Sequence, residues 1–289
     1  MPDRSTPITI VGAGALGQAL ARSIHSVGRP VHAIVSRSLD RGGALAEEVD
    51  SRRVEEPLEP AGEAVILCVP DDHIASVVER LKLQPGSILA HCAGSRGLDV
   101  LEHQRHDQIH LGSMHPVMVL AQSGRGADAL EGATAAIDGD EISRDWLEQL
   151  AQDIGMRSVM IPPECRGMYH LSAALVGGLM TGLLAAAADL WEIIGLDRST
   201  AASALGPMVQ EAGRNLEALG VPGVVMGPAA RGDTGTIRRH LEELGTHAPQ
   251  LLPLYRELVL LSVPYALEQG LLDEQAAMAL RSVVEAASD

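Results

Sequence analysis

Three glycines carry the first chemical signal in this 289-residue chain. Gly12, Gly14 and Gly17 stand in GxGxxG spacing within GAGALG, after an apolar run that begins at Ile8. At that spacing Gly12 permits a tight turn and Gly14 lets a pyrophosphate approach the backbone. Gly17 lets the following helix pack closely on the strand. The stretch Gly12, Ala13, Gly14, Ala15, Leu16 and Gly17 then leads into a helix N-terminus, whose free N–H groups favour an anion. A dinucleotide is the expected occupant. The second strand pattern ends in Ser36-Arg37-Ser38, with the first acid only at Asp40. An NAD site usually carries Asp or Glu at that strand tip for the ribose hydroxyls. Ser36 and Arg37 suit a 2′-phosphate instead, so NADP is expected in preference to NAD. Val69, Pro70 and Gly94, at the ends of two further apolar runs, complete the expected cofactor site.

The proton chemistry is bounded by a count. Among 22 basic residues there is a single lysine, Lys82, whereas there are 11 histidines. An acid or base elsewhere must therefore be His, Asp, Arg or a hydroxyl group. His115 precedes Pro116 in a loop after a strand pattern, and doubly wound sheets bind ligands at strand carboxyl ends. An imidazole with an ordinary pKa of ~6.5 suits proton donation at neutral pH. The alternative is a structural His that holds the loop. His170, beside Tyr169, opens a long helix. Arg231, in a Gly- and Pro-rich loop, has the planar fork that fits a substrate carboxylate. It could equally pair with Asp233, which either orients the reacting groups or caps the next helix. Thr236 and His240 lie one turn apart on that helix. Ser95 sits outside a GxSxG elbow, so nucleophilic hydrolysis is unsupported. His91 and His110 lie in apolar runs and read as core histidines. His103 and His106 lack a third ligand, and no metal signature such as HExxH is present.

The elements that must position these residues alternate in the first half. Strand patterns occupy Ile8–Gly17, Val31–Arg37, Ala64–Pro70, Ser87–Gly94, Gln108–Pro116, Thr134–Gly139 and Arg157–Pro163. Helical patterns fall between them, among them Ser143–Ile154. Alternation of this kind predicts a doubly wound parallel sheet, a Rossmann domain over residues 1–162. Residues 163–289 read as an all-helical second domain. Its helices are expected at Cys165–Ile194, Ser199–Leu219, Thr236–Leu244, Ala248–Glu268 and Asp273–Ala287.

A net charge of −16 argues against nucleic acid and against an anionic membrane surface. Aromatics are 2%, with no Phe, so the core must be aliphatic. Three widely spaced cysteines and a short polar N-terminus read as a reducing, cytoplasmic setting. The apolar stretch Ala173–Ala188 falls short of the ~20 residues of a membrane span and reads as a buried helix. One chain of this size does not bury such a helix alone, which predicts a homodimer through the helical domain.

The chain resembles the 6-phosphogluconate dehydrogenase-like superfamily, and within it the Rossmann-like proteins with a C-terminal DUF2520 domain. The residues that carry the resemblance are VGAGALG, VPDDHI (Val69–Ile74), HCAGS (His91–Ser95) and GSMHPV (Gly112–Val117). In the second half they are YHLSAA (Tyr169–Ala174), Asn215 and GPAARGDTGTIRRH (Gly227–His240). The resemblance implies an NAD(P)-dependent oxidoreductase, with His115 and His170 facing the nicotinamide. It implies hydride transfer at a C=O or C=N carbon of a small carboxylate-bearing substrate. Relatives often carry Asn in the helix that begins at YH, where this chain has LVGGLMTG (Leu175–Gly182). Ketopantoate reductases and β-hydroxyacid dehydrogenases use a second-domain lysine that is absent here. Two alternatives follow: a ketopantoate or pyrroline-5-carboxylate-like reductase lacking that Lys, or a non-catalytic NADP-binding sensor or scaffold dimer.

Overall fold

The computed structural model describes residues 2–55, 63–105, 108–120 and 126–286. His106 and Ala287 lie outside them. The chain divides into two compact units, Met1–Thr181 and Gly182–Asp289.

The first unit is built on eight strands: β1 (Ile8–Val11), β2 (Val31–Val35), β3 (Arg52–Val54), β4 (Ala64–Leu67), β5 (Ile88–His91), β6 (His110–Val117), β7 (Thr134–Gly139) and β8 (Arg157–Met160). They lie in the order β3-β2-β1-β4-β5-β6-β7-β8. The chain order reverses between β1 and β4, the point at which open α/β sheets bind ligands. Helices α1 (Ala15–Ser26), α2 (Leu39–Glu48), α3 (Ile74–Val78) and α4 (Glu141–Asp153) connect them. Alternate strand residues enter two separate cores. Ile8, Ile10, Ile66 and Ile88 pack with Leu20, Leu45 and Leu147. Val11, Val65, Leu67 and Leu89 pack with Ile74 and Leu101. Both faces of the sheet are therefore covered, as its continuous apolar strands require.

Two features depart from the sequence reading. The short strand β3 has no apolar run, because Arg52 and Arg53 occupy it. The sheet is mostly parallel, but β6 and β7 pair antiparallel, from Gly112 opposite Gly139 to Val117 opposite Thr134. This pairing extends β6 through His115 and Pro116, which were expected in a loop.

The stretch from Pro163 to Ile193 is helical over 31 residues: a short 3-10 turn (Pro163–Cys165), α5 (Arg166–Ala174), a wider π-type turn at Leu175–Leu179 and α6 (Met180–Ile193). Its first half groups with the sheet unit, so the division between units falls after Thr181 instead of at 162/163. The physical reason is Arg166, which is buried and hydrogen-bonded to the strand ends. The expectation of a buried helix is corrected here. The most apolar 18-residue window has a mean hydropathy of 1.8, none of it is buried within the chain, and its helix is long and apolar enough to cross a membrane.

The second unit places α7 (Arg198–Gly223), α8 (Thr234–His247), α9 (Leu252–Glu268) and α10 (Glu274–Ala286) after α6. The helical backbone of α7 breaks at Gly220 and Val221. The core of this unit comes from α8, α9 and α10, through Ile237, Leu241, Val259, Val263 and Leu280.

Candidate active site

The glycine turn follows β1 directly. A Cβ on Gly17 would lie 1.8 Å from the Gly12 carbonyl oxygen, and one on Gly12, at φ +112°, would lie 2.4 Å from the Cys68 carbonyl oxygen. Both glycines are fixed by backbone packing. A Cβ on Gly14 would meet nothing within 4 Å. Gly14 is also the N-cap of α1, with no side-chain cap and no acid in the first turn. The helix thus begins uncapped at an exposed glycine with open space beside it, which is the cradle a pyrophosphate needs. Gly12, Ala13 and Gly14 line one pocket with Ser36, Arg37, Val69 and Pro70. Ala15, Leu16 and Gly17 belong to the helix behind it. The residues thus fit a dinucleotide.

The far end of this pocket shows what sequence reading missed. Arg41 and Arg80 line the pocket together with Arg37, and so does one acid, Glu55. The two serines have local duties. Ser38 Oγ accepts from the Arg41 amide at 3.3 Å and caps α2. Ser36 Oγ donates to the Ser38 carbonyl at 3.2 Å. Arg37 itself is exposed. Helical phasing from the Ser38 cap would have placed Arg41 on the same turn; Arg80 is brought in only by the tertiary fold.

A second group of side chains gathers at the carboxyl ends of β5 and β6. A Cβ on Gly94 would lie 2.7 Å from both His115 Cε1 and His170 Cδ2, and 2.8 Å from His115 Nε2. The two imidazoles therefore close over a residue that must be glycine. Their ring centroids are 6.0 Å apart. On its other side, His115 Nδ1 lies 2.7 Å from the Tyr169 hydroxyl. Ser95 Oγ donates to Asp71 Oδ2 at 2.7 Å, which ties the loop after β5 to the loop after β4. The cluster and the glycine pocket lie in the same unit.

The electrostatics revise one expectation. His115 is not an ordinary imidazole. Burial first, then His170 and Arg166, push its pKa down to about 4, against an opposing pull from Asp71. It is uncharged at neutral pH. Burial likewise raises Tyr169 to about 12, so the phenol keeps its proton. One proton is then shared between Tyr169 and His115 Nδ1. When the phenol donates it, His115 carries its own proton on Nε2, the edge that faces Gly94. His91, expected in the core, is fully buried. It accepts from the Ala93 amide and bonds the Gly97 carbonyl, and burial lowers its pKa to about 4.

Arg231 and Asp233 belong to the second unit. Asp233 Oδ1 accepts from the Thr236 amide at 3.0 Å and caps α8. That hydrogen bond holds its carboxyl below the usual carboxylate range. Arg231 is exposed, and its amide donates to the Gly227 carbonyl. Thr236 accepts from Arg239, and His240 Nδ1 lies 2.7 Å from the Tyr255 hydroxyl. Cys68 and Cys92, the residues directly after β4 and β5, lie side by side with sulfurs 3.9 Å apart. Among the described residues no three His, Cys, Asp or Glu side chains converge as a metal site.

The sheet order and the glycine cradle define a Rossmann-type architecture. Residues 7–93 match the family described as NADP oxidoreductase, coenzyme F420-dependent. Residues 133–261 match the domain of unknown function DUF2520. The two matches are thus to separate, successive stretches of the chain. It is 26% identical over 243 residues to a Rhizobium etli glycerol-3-phosphate dehydrogenase [NAD(P)+], covering 75% of this chain and 70% of that protein. A Bacteroides fragilis protein assigned as an NADP oxidoreductase shares the fold at a TM-score of 0.73 and 23% identity, over 90% of this chain and 98% of that one. A pyrroline-5-carboxylate reductase from Streptococcus pyogenes shares it at a TM-score of 0.59 and 16% identity, over 99% of each chain.

Proposed function

We propose that this protein is an NADP-dependent oxidoreductase acting on a C=O or C=N carbon of a small carboxylate-bearing substrate. The observation that carries the reading is the closure of His115 and His170 over Gly94, with His115 uncharged and bonded to Tyr169, in the same unit as a cradle that fits a dinucleotide. A bound nicotinamide supplies or takes up the hydride, a chemistry that belongs to the cofactor. The chain's own residues hold and move the proton. His115 Nε2–H polarises the acceptor atom as a neutral donor, the way an imidazole of lowered pKa can serve. When the product needs a proton, His115 gives it from Nε2 as the Tyr169 hydroxyl passes its proton to Nδ1. Nδ1 then returns that proton to the phenol as Nε2 takes one from solvent, which leaves both residues as they began. Arg37 and Arg41 hold the 2′-phosphate.

Supporting NADP over NAD is the arginine-rich end of the pocket, where no acid stands at the tip of β2. Titration of the purified chain with NADPH and NADH, followed by thermal shift and nicotinamide fluorescence, tests this arm. NADPH should bind tighter, and Arg37→Ala should weaken NADPH with little effect on NADH. Equal affinity for both removes the 2′-phosphate reading. A panel of keto and imino acids, pyrroline-5-carboxylate and ketopantoate among them, then tests the reaction. Cofactor binding with no turnover across that panel would favour a non-catalytic sensor or scaffold.

The same proposal includes a cytoplasmic homodimer formed through the helical region. Met168, Leu171, Leu175, Val176 and Leu179 are all at least half exposed. They recur at helical spacing beside Gly177, Gly178 and Gly182, which let a second helix approach closely. Apolar surface of this extent marks an interaction site. Light scattering of the detergent-free protein should give twice the chain mass. A monomer, or solubility only in detergent or lipid, overturns this part.

A further inference from the structure

His91 takes no part in that proton path, yet both nitrogens of its ring are spoken for. It ends β5, stands between Leu67 of β4 and Ser113 of β6 in the ladder, and is fully buried. Its Nδ1 accepts from the Ala93 amide at 3.2 Å, and an amide N–H can only donate. The ring's proton is therefore on Nε2, which donates to the Gly97 carbonyl at 3.1 Å. Both partners lie in the loop of residues 92–97, two and six places beyond the histidine. One ring thus bridges the start and the end of that loop, and Gly94 stands between the two bonds. The anchor is rigid, because β5 is paired on both sides. An apolar residue would fill this strand end as Leu89 and Ala90 fill the positions before it. It would leave the Ala93 amide and the Gly97 carbonyl without these partners.

Two other side chains grip the same loop from outside. Asp71 Oδ2, after β4, accepts from Ser95 Oγ. Arg166, in the first turn of α5, donates from Nη1 to the Arg96 carbonyl at 2.9 Å. It also donates to Ser113 Oγ and stands 3.6 Å from Asp138 Oδ2. Arg166 shares its helix with Tyr169 and His170, so its loss would disturb both sides of the site at once. His91 acts from the loop side alone. What the loop must hold is a clearance. A Cβ on Gly94 would lie 2.7 Å from both His115 Cε1 and His170 Cδ2, so the backbone passes beneath the rings with less than a methyl group to spare. A shift towards them is blocked, and a shift away widens the space in which an acceptor atom is to be held. We propose that His91 is a positioning residue of this site: its ring laces residues 92–97 into the shape that sets Gly94 beneath His115 and His170. The inference rests on the reading of those two imidazoles as the reacting cluster.

The test compares three variants of the full chain. His91→Leu removes both bonds. His91→Gln can return an N–H donor to the place of Nε2, and His91→Asn an acceptor to the place of Nδ1. In H91L, kcat on the best substrate of the panel should fall on the order of tenfold to a hundredfold, the cost of a small misplacement at a reacting centre. The KM for NADPH should stay within about threefold, since the lost interaction is felt in the reaction and not in cofactor binding. H91Q should recover most of the kcat, because the Gly97 bond is the one that closes the loop around Gly94, and H91N should recover less. Hydrogen exchange at residues 92–97 should quicken in H91L and slow again in H91Q. A kcat in H91L within about twofold of wild type overturns the proposal. So does a fall in kcat with loop exchange unchanged, or an H91Q no faster than H91L. Should H91L fail to fold, the other two variants decide: H91Q faster than H91N supports the proposal, and H91N equal to or faster than H91Q overturns it. A wild-type protein that turns over nothing would sink the proposed reaction and leave this inference testable by NMR of the histidine rings. The His115 and His170 signals should then move in H91L and return in H91Q with NADPH still bound, and unmoved signals overturn it.

Discussion

Among the described residues stand two His–Tyr pairs of nearly the same geometry. His115 and Tyr169 meet at 2.7 Å, with ring centroids 5.7 Å apart and an interplanar angle of 86°. His240 and Tyr255 meet at 2.7 Å, with centroids 5.7 Å apart and an angle of 81°. The hydrogen bond alone does not distinguish them. What differs is the setting. His115 is held in a strand, beneath a second imidazole and beside a buried guanidinium, against a glycine that leaves it room. His240 is an exposed residue of α8, bonded to a tyrosine of α9 in a helical unit with no such neighbours on these two rings. The lesson is that burial and fixed charge turn a common side-chain pair into a reactive one.

The comparison can be broken most sharply by deleting each imidazole. His115→Asn should lower turnover roughly 10²–10⁴-fold, whereas His240→Asn should leave it within about twofold. Equal losses, measured as kcat on the best substrate of the panel, would end the distinction. Removing the hydroxyls is the gentler version. Tyr169→Phe should cost about tenfold in kcat, through the lost proton at Nδ1. Tyr255→Phe should cost only stability, about 1 kcal/mol for one hydrogen bond, read as a small drop in Tm.

Acid stability sharpens the comparison further. The folded-state pKa of His115 is about 4, below its ordinary value of 6.5. The unfolded chain therefore binds more protons between those two pH values. Stability is fully present above pH 6.5 and is lost as pH falls towards 4, by on the order of 3 kcal/mol for a shift of that size. His91 adds a loss of the same sign. Melting curves across this window should flatten in His115→Asn, since the variant no longer has that proton to take up. The smallest effect is expected at the glycine loop's open position. Gly14→Ala should fold with nearly unchanged Tm, because its Cβ meets nothing, yet bind NADPH more weakly.

Much of this was legible in the residues. GAGALG is a local signal, and its turn, helix and strand all follow from nearest neighbours in sequence. The same holds for Asp233 as a helix cap, one of the two readings its position allowed. His115 and His170 were each visible as candidates, but their meeting over Gly94 depends on strand order. The charge state of His115 was misread, because an imidazole's ordinary pKa says nothing about burial. Arg166 stood in ECRGMYH at helical spacing from Tyr169 and His170. That phasing was available, but its burial was not, since only the sheet brings Ala93, Arg96, Ser113 and Asp138 around it. The antiparallel β7 escaped for a related reason: both strand directions leave the same apolar pattern in TAAIDG.

That antiparallel pairing has a consequence for how the site meets its substrate. His115 stands opposite Ala136 in a ladder that continues to Val117 and Thr134. Its backbone is as fixed as the sheet itself, so the ring starts each cycle already aimed, with no search through loop conformations. Dipoles that need no rearrangement at the moment of reaction lower a barrier most effectively. The same rigidity makes the imidazole a ruler. A ligand whose acceptor atom is misplaced by an ångström finds no donor leaning towards it, and discrimination between near-identical molecules becomes a matter of length.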